Sequence, residues 1–234
     1  MSIERRTEIP PDHKDPDYEN VEFDAERIAD GGHRRFVGGF WDEMGQLQLD
    51  FLREQGLQPE HRFLDVGCGT LRAGRKLVDY LDPGHYYGTD INHELLETGY
   101  RVELTDEQRA RLPEANLRST DRFDNDFGVQ FDMAIAQSVF THIPLNHMRL
   151  CLYRVAKVMR PGGRFYVTFF ERGRDFPLDN VPKSGRMWSE RNAFWYYRSD
   201  MTWVAKRSPW EVRYIGKWGH PRNQRMVEYT RLAD

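Results

Sequence analysis

Two carboxylates and a pair of glycines stand at a spacing that could hold a polar ligand against a backbone turn. Asp65, Gly67 and Gly69 sit in "FLDVGCGTLRAG" (63–74), an apolar run that breaks into a glycine-rich turn and then resumes as a helix. Glycines there let the backbone turn tightly and approach a ligand closely. Asp90 ends "HYYGTD" about 20 residues after the glycines, where a carboxylate can accept hydrogen bonds from both ribose hydroxyls. Turn and acid together point to an adenosine-type cofactor. A dinucleotide fingerprint would place a third glycine at position 72, to pack helix on strand. Arg72 stands there and Gly74 comes two residues later. No G-K-[ST] follows, so a nucleoside triphosphate is not indicated.

Further chemistry clusters later in the chain. Histidine titrates near neutrality and suits proton transfer from an alcohol. His142 follows "AQSVFT", His147 opens the next helix, His220 lies in "GHPRNQ" (219–224), and Glu171 follows "RFYVTFF" (164–170). Each has a plainer role open to it. His142 could bond a backbone carbonyl, His147 start a helix, His220 lock a turn, and Glu171 pair with an arginine. No ligand spacing supports a metal, and Cys68 and Cys151 read as buried free thiols.

These residues need a scaffold that brings strand ends together. Strands are expected at 62–66, 85–90, 116–120, 131–137 and 164–170. Helices are expected at 71–81, across 92–112 with a break near Gly99, and at 145–160. Before them, Phe40, Met44, Leu47 and Phe51 fall at helical spacing, with Gly56 as the stop. Alternation with short loops implies a parallel sheet covered on both faces, an α/β, doubly wound, Rossmann-like fold. "WEVRYIGKW" and "QRMVEYTRL" read as a terminal hairpin. The sixth strand should run parallel to the others, so its carboxyl end would bring His220 to the same mouth as His142, His147 and Glu171.

The organisation read from this pattern is a polar, partly mobile N-terminal arm over 1–35 and one domain over 36–234. An Arg- and aromatic-rich insertion at 171–203 lies on the substrate side. Trp188, Phe194, Trp195, Tyr196, Tyr197 and Trp203 could stack on a sugar or flat ligand, or pack a small satellite core. The formal net charge of −3 argues against general nucleic-acid affinity. No apolar run approaches a membrane span or a signal peptide, so a cytoplasmic location is expected. A homodimer stays open.

Four segments in order resemble the class I S-adenosylmethionine-dependent methyltransferases: "LDVGCGT", "YYGTDIN", "FDMAIAQSVFTHIP" and "VMRPGGRFYVTFF". That resemblance implies a seven-stranded sheet with an antiparallel last strand, and S-adenosyl-L-methionine as cofactor. It places the backbone of Gly67, Cys68 and Gly69 against the amino-acid part of the cofactor. Asp65 would serve its ammonium, Asp90 the ribose and Ile91 the adenine. The loop 124–128 would flank the adenine through Asp126 and Phe127. Gln137 would offer its carbonyl to the ammonium, with Ser138 beside it. Arg72 would either meet the methionine carboxylate or lie on the helix surface. The segment from Phe36 to Trp41 would close over the cofactor. Amine-methylating relatives commonly carry N/D-P-P-Y/F after the fourth strand, where this chain has Gln137-Ser-Val-Phe140. The chain further resembles bacterial methyltransferases of sugar and polysaccharide modification, including mycobacterial-type enzymes of methylmannose glycans. A sugar or glycan hydroxyl is therefore the expected acceptor, a small molecule or oligosaccharide. Another hydroxylated metabolite, or cofactor binding without turnover, is the alternative.

Overall fold

The structure, a computed structural model, describes residues 18, 21–173 and 194–233. Most of the arm expected over 1–35, and residues 174–193 of the insertion with Trp188, lie outside the described residues. Two short helices, α1 (Ala25–Ala29) and α2 (Gly32–Phe36), lead into α3 (Trp41–Glu54). Then come β1 (Phe63–Val66), α4 (Gly74–Tyr80), β2 (Tyr86–Asp90) and α5 (His93–Thr98). The break foreseen near Gly99 is a π-turn (Gly99–Glu103) before α6 (Asp106–Arg111). Gly99 is small because a Cβ there would press on the Thr70 backbone at 2.7 Å. Asn92 caps α5 by accepting from the Glu94 and Leu95 N–H groups, and Thr105 and Gln108 form a capping box on α6.

The second half runs β3 (Leu117–Ser119), β4 (Phe131–Ala136), α7 (Leu145–Val158) and β5 (Met159–Glu171). A two-residue β6 (Trp195–Tyr196), α8 (Arg198–Val204), β7 (Trp210–Lys217) and β8 (Arg225–Arg231) complete it. The strands order as β3-β2-β1-β4-β5-β8-β7, with β6 beside the end of β5. β3 to β5 are parallel, and β8 is antiparallel to both neighbours. This is the doubly wound sheet with an antiparallel last strand. β7 therefore runs with β5, and the loop 218–224 emerges at the carboxyl edge.

Two apolar cores sandwich the sheet. One packs Met148, Leu152, Phe165 and Tyr229 beneath α7 and α8; the other packs Leu52, Phe63, Leu77 and Tyr86 beneath α3 and α4. Among the described residues no helix is long and apolar enough to cross a membrane. Both cysteines are buried and free, and burial pushes both thiols up from their ordinary range.

The aromatic segment at 194–203 belongs largely to this packing. Tyr196 is buried and donates its hydroxyl to the Ile143 carbonyl at 2.8 Å. Trp195 stacks on Phe170 at 4.9 Å, and Trp203 faces outward under Arg149.

Candidate functional site

β1 and β4 are neighbours, and the chain leaves them toward opposite faces of the sheet. The crevice at such a switch point is where doubly wound sheets bind ligands. The turn after β1 is held by backbone bonds: the Gly67 and Cys68 N–H groups donate to the Thr89 carbonyl at 2.7 and 3.0 Å. Gly67 (φ 73°) has no room for a side chain, because a Cβ would lie 2.3 Å from Val139 Cγ2. A Cβ on Gly69 (φ 55°) would come within 3.0 Å of Val37 Cγ1. The close helix–strand contact expected of a third glycine is made by Gly74, whose Cβ would meet the Tyr86 hydroxyl at 2.7 Å.

Asp90 closes the turn by accepting from the Gly69 N–H through Oδ2 (2.9 Å) and the Asn92 N–H through Oδ1 (3.1 Å). Each oxygen keeps a lone pair for another donor. Burial raises its pKa, and the backbone donors partly offset that. Asp65 accepts from the Tyr86 hydroxyl at 2.9 Å. Burial pushes its pKa up to about 7 against the opposing pull of Tyr86 and Arg72.

The end of β4 carries a polar network. Arg72 is buried, not on the helix surface. It donates to the carbonyls of Val37 (3.1 Å) and Gly39 (2.9 Å) and to Gln137 Oε1 (2.6 Å). Among the described residues it has no carboxylate partner, and burial lowers its pKa to about 10. Gln137 Nε2 donates to Ser138 Oγ at 2.6 Å, and Gln224 Nε2 reaches the same hydroxyl at 2.8 Å. Ser138 holds a left-handed φ of 61° and donates its N–H to Thr168 Oγ1 at 2.7 Å. Such strain costs about 1–3 kcal/mol and persists where surrounding structure enforces it.

His220 adjoins Gln137, with Nε2 3.1 Å from Gln137 Nε2. Its Nδ1 lies 3.1 Å from the Arg222 N–H, so both ring nitrogens face a donor. Burial, with Arg72 and Arg222 nearby, lowers its pKa to about 4. A ring so hard to protonate suits hydrogen bonding better than taking a proton from an alcohol near pH 7.

These groups face one cavity of about 870 Å³, within the size range of small-ligand and cofactor sites. Of the sequence-derived candidates, Asp65, Gly67, Cys68, Gly69, Arg72, Asp90, Ile91, Gln137 and Ser138 line it. So do His142, His147 and His220.

Four candidates fall elsewhere. Glu171 accepts from the Tyr214 hydroxyl (2.5 Å) and Arg225 Nε (3.2 Å), outside the cavity wall. Trp41 is buried between the guanidinium groups of Arg34 (5.1 Å) and Arg75 (5.7 Å). Its neighbours Phe40, Met44 and Gln48 reach the cavity instead, because Phe40 takes φ 47° and starts α3 one residue later. Asp126 turns back to accept from the Gly128 N–H at 3.0 Å. Phe127 packs on Tyr87 at 5.2 Å, under Arg118.

Asp121 and Phe123 line the cavity where Asp126 and Phe127 were expected. The signal available for them was position: they follow β3 directly, as Asp90 ends β2. None of the described aromatic residues from 194 to 203 lines the cavity; Phe170 does.

The residues fit S-adenosylmethionine. The glycine cradle leaves no space for a Cβ, Asp90 offers acceptors for a diol, and Asp65 offers a carboxylate for an ammonium. Arg72, hydrogen-bonded to carbonyls and not to a carboxylate, could meet one on the cofactor.

Comparison with known proteins agrees. Residues 64–165 match the family described as a methyltransferase domain. A ubiquinone biosynthesis O-methyltransferase of Hahella chejuensis is 24% identical over 201 residues, covering 74% of this chain and 76% of that protein. Magnesium protoporphyrin IX methyltransferase (ChlM) from Synechocystis PCC 6803, crystallised with S-adenosylmethionine, superposes with a TM-score of 0.60. It is 17% identical, over 91% of this chain and 99% of that one. CalS10, an amino pentose methyltransferase from Micromonospora echinaspora, gives a TM-score of 0.60 at 19% identity, over 91% of this chain and 99% of that one. Residues 64–165 carry the methyltransferase domain, and the chain has the fold of S-adenosylmethionine-dependent methyltransferases.

Proposed function

We propose that the protein methylates a hydroxyl group of a small acceptor, with a sugar or glycan as the acceptor class and His142 as the base. One observation carries this: His142 and His147, both on the stretch after β4, line the cavity together with Phe170 and Ile143. When bound, S-adenosylmethionine supplies a methyl group on an electrophilic sulfonium. A hydroxyl is a weak nucleophile until its proton is drawn off, and a histidine beside it does that. The His142 ring lies against Tyr18 at 5.0 Å, which limits its orientation. Of the three histidines, His220 is held neutral by its surroundings and acts as a hydrogen-bonding wall. Glu171 has no part in this reading, since its carboxylate is engaged by Tyr214 and Arg225.

A sugar acceptor is supported by the aromatic face of Phe170 on the wall and by the likeness to a solved amino pentose methyltransferase. A non-sugar hydroxyl is the second reading, favoured by the curated O-methyltransferase relative. The test is a panel of mannosides, glucosides and phenols scored by S-adenosylhomocysteine release, followed by location of the methyl group in the product. Methylation on nitrogen or carbon, or no turnover across the panel, would sink the proposal.

A further inference from the structure

The carboxylates around the cavity all come from the first half of the sheet, with Arg72 beside them. These three carboxylates, Asp65, Asp90 and Asp121, come from β1, β2 and the loop after β3. From β4 onward the wall carries no carboxylate, and holds His142, His147, His220 and Arg222. His142 and His147 of that half are the residues assigned above to the acceptor.

Arg222 is the exposed member, in the loop between β7 and β8. Its Nη2 donates to the Gly38 carbonyl at 2.7 Å, and its guanidinium lies 5.4 Å from the Phe40 ring. Among the described residues no carboxylate pairs with it. Gly38 (φ 99°) is flanked by two guanidinium groups: a Cβ there would lie 2.9 Å from Arg222 Nη1 and 3.8 Å from Arg72 Nη1. Two like charges held so close, hydrogen-bonded only to carbonyls and an amide and with Asp65 near Arg72 alone, make a place for anions. Arg72 is the buried one and suits the cofactor's carboxylate. Arg222 is at the rim, beside an exposed aromatic ring, and its remaining N–H groups are available for a second anion.

We infer that the acceptor is itself an anion, a ring compound bearing a carboxylate that docks on Arg222 while the ring rests on Phe40. This builds on the hydroxyl methylation proposed above and narrows its substrate class to acids. Sugar acids and hydroxyaryl acids share the required chemistry, and matched probes separate them.

The experiment uses the full-length protein saturated with S-adenosylhomocysteine. Methyl β-D-glucuronide is compared with methyl β-D-glucoside, and 4-hydroxybenzoate with 4-hydroxybenzamide, by ligand-observed NMR titration. In at least one pair the acid binds about tenfold more tightly than its neutral partner, as expected for a charge-assisted contact. The preference falls below about twofold in Arg222→Gln and is partly kept in Arg222→Lys. The pair that discriminates tells whether the ring is a sugar or an aryl group. Equal or undetectable binding within both pairs overturns the inference, and so does a preference that survives Arg222→Gln. A variant that instead loses S-adenosylhomocysteine affinity also overturns it, because Arg222 would then serve the cofactor. Failure of hydroxyl methylation shows separately, in the position of the methyl group on the product, and leaves this binding comparison intact.

Discussion

Arg72 and Gln137 meet across the switch point of the sheet, Nη2 to Oε1 at 2.6 Å. One lies in the turn between β1 and α4 and the other directly after β4, so the bond ties together the two strand ends that open the cavity. The same guanidinium reaches Val37 and Gly39, which fixes the N-terminal segment over the turn. Arg72→Met should therefore weaken S-adenosylmethionine binding at least about tenfold and lower stability by about 2 kcal/mol, through three acceptors left without a donor. Calorimetry and thermal melting read the two effects separately. Arg72→Lys, with a single point charge, should fall between.

Gly67→Ala places a methyl group on Val139 at a backbone angle that L-residues avoid. The combined cost is about 2–4 kcal/mol, from overpacking and from the left-handed φ. Adding Val139→Ala should recover the packing share of the lost melting temperature and leave the conformational share. Full recovery in the double variant would show that the backbone angle costs nothing.

Asp65 gives the site a pH dependence with a definite sign. Its folded pKa of about 7 lies above the unfolded value near 3.8. Between those values the unfolded chain has released the proton and the folded chain has kept it, so this group makes the ligand-free protein less stable as pH rises from about 4 to about 7. Above pH 7 the difference is constant. An ammonium-bearing ligand selects the ionised form, so S-adenosylmethionine affinity should climb as pH rises through 7 and then level off. Calorimetry from pH 6 to 8 checks it; Asp65→Asn should flatten the profile, and a flat wild-type profile rules the mechanism out.

His142→Ala should reduce turnover by roughly 10²–10⁴-fold, the usual worth of a general base. S-adenosylhomocysteine affinity should stay within about twofold. His220→Gln should cost far less in turnover, since that ring is already neutral. Stopped-time product assays on the best acceptor of the panel decide between them.

Glu103 anchors the N-terminal segment. Its carboxylate accepts from Arg34 Nε (2.7 Å) and Nη2 (2.9 Å) and contacts His33 Nε2 at 2.5 Å. This joins α2 to the π-turn after α5, just before Val37 and Gly38 reach the cavity. Glu103→Ala should destabilise the fold by about 1–2 kcal/mol, through the lost hydrogen bonds to α2, with the half-exposed Arg34 left to solvent. Faster hydrogen exchange should be confined first to the amides of 25–39, with cofactor affinity falling alongside.

How far the site could be read ahead of the fold depended on whether a residue's role was set by backbone or by side-chain direction. Gly67, Gly69 and Asp90 belong to a turn whose shape follows from local spacing, and they lie where the spacing put them. Trp41 and Phe40 are adjacent, and only the left-handed backbone at Phe40 turned one into the wall and the other away. Asp126 and Phe127 were placed by loop position alone; a local Asx-type bond and the ring of Tyr87 claimed them, while Asp121 and Phe123 took the wall. Glu171 ends the expected strand, yet its nearest partners come from β7 and β8, more than 40 residues later.

By itself the sequence determined the alternation of strands and helices, the terminal hairpin and the adenosine-binding turn. Those properties reside in hydrophobic period, glycine placement and short-range spacing. Tertiary structure alone decided which charges share the cavity. It buried Arg72 against carbonyls, lowered the pKa of His220, engaged Glu171 elsewhere and left Arg222 at the rim, because burial and through-space partners are set by contacts between segments far apart in the chain.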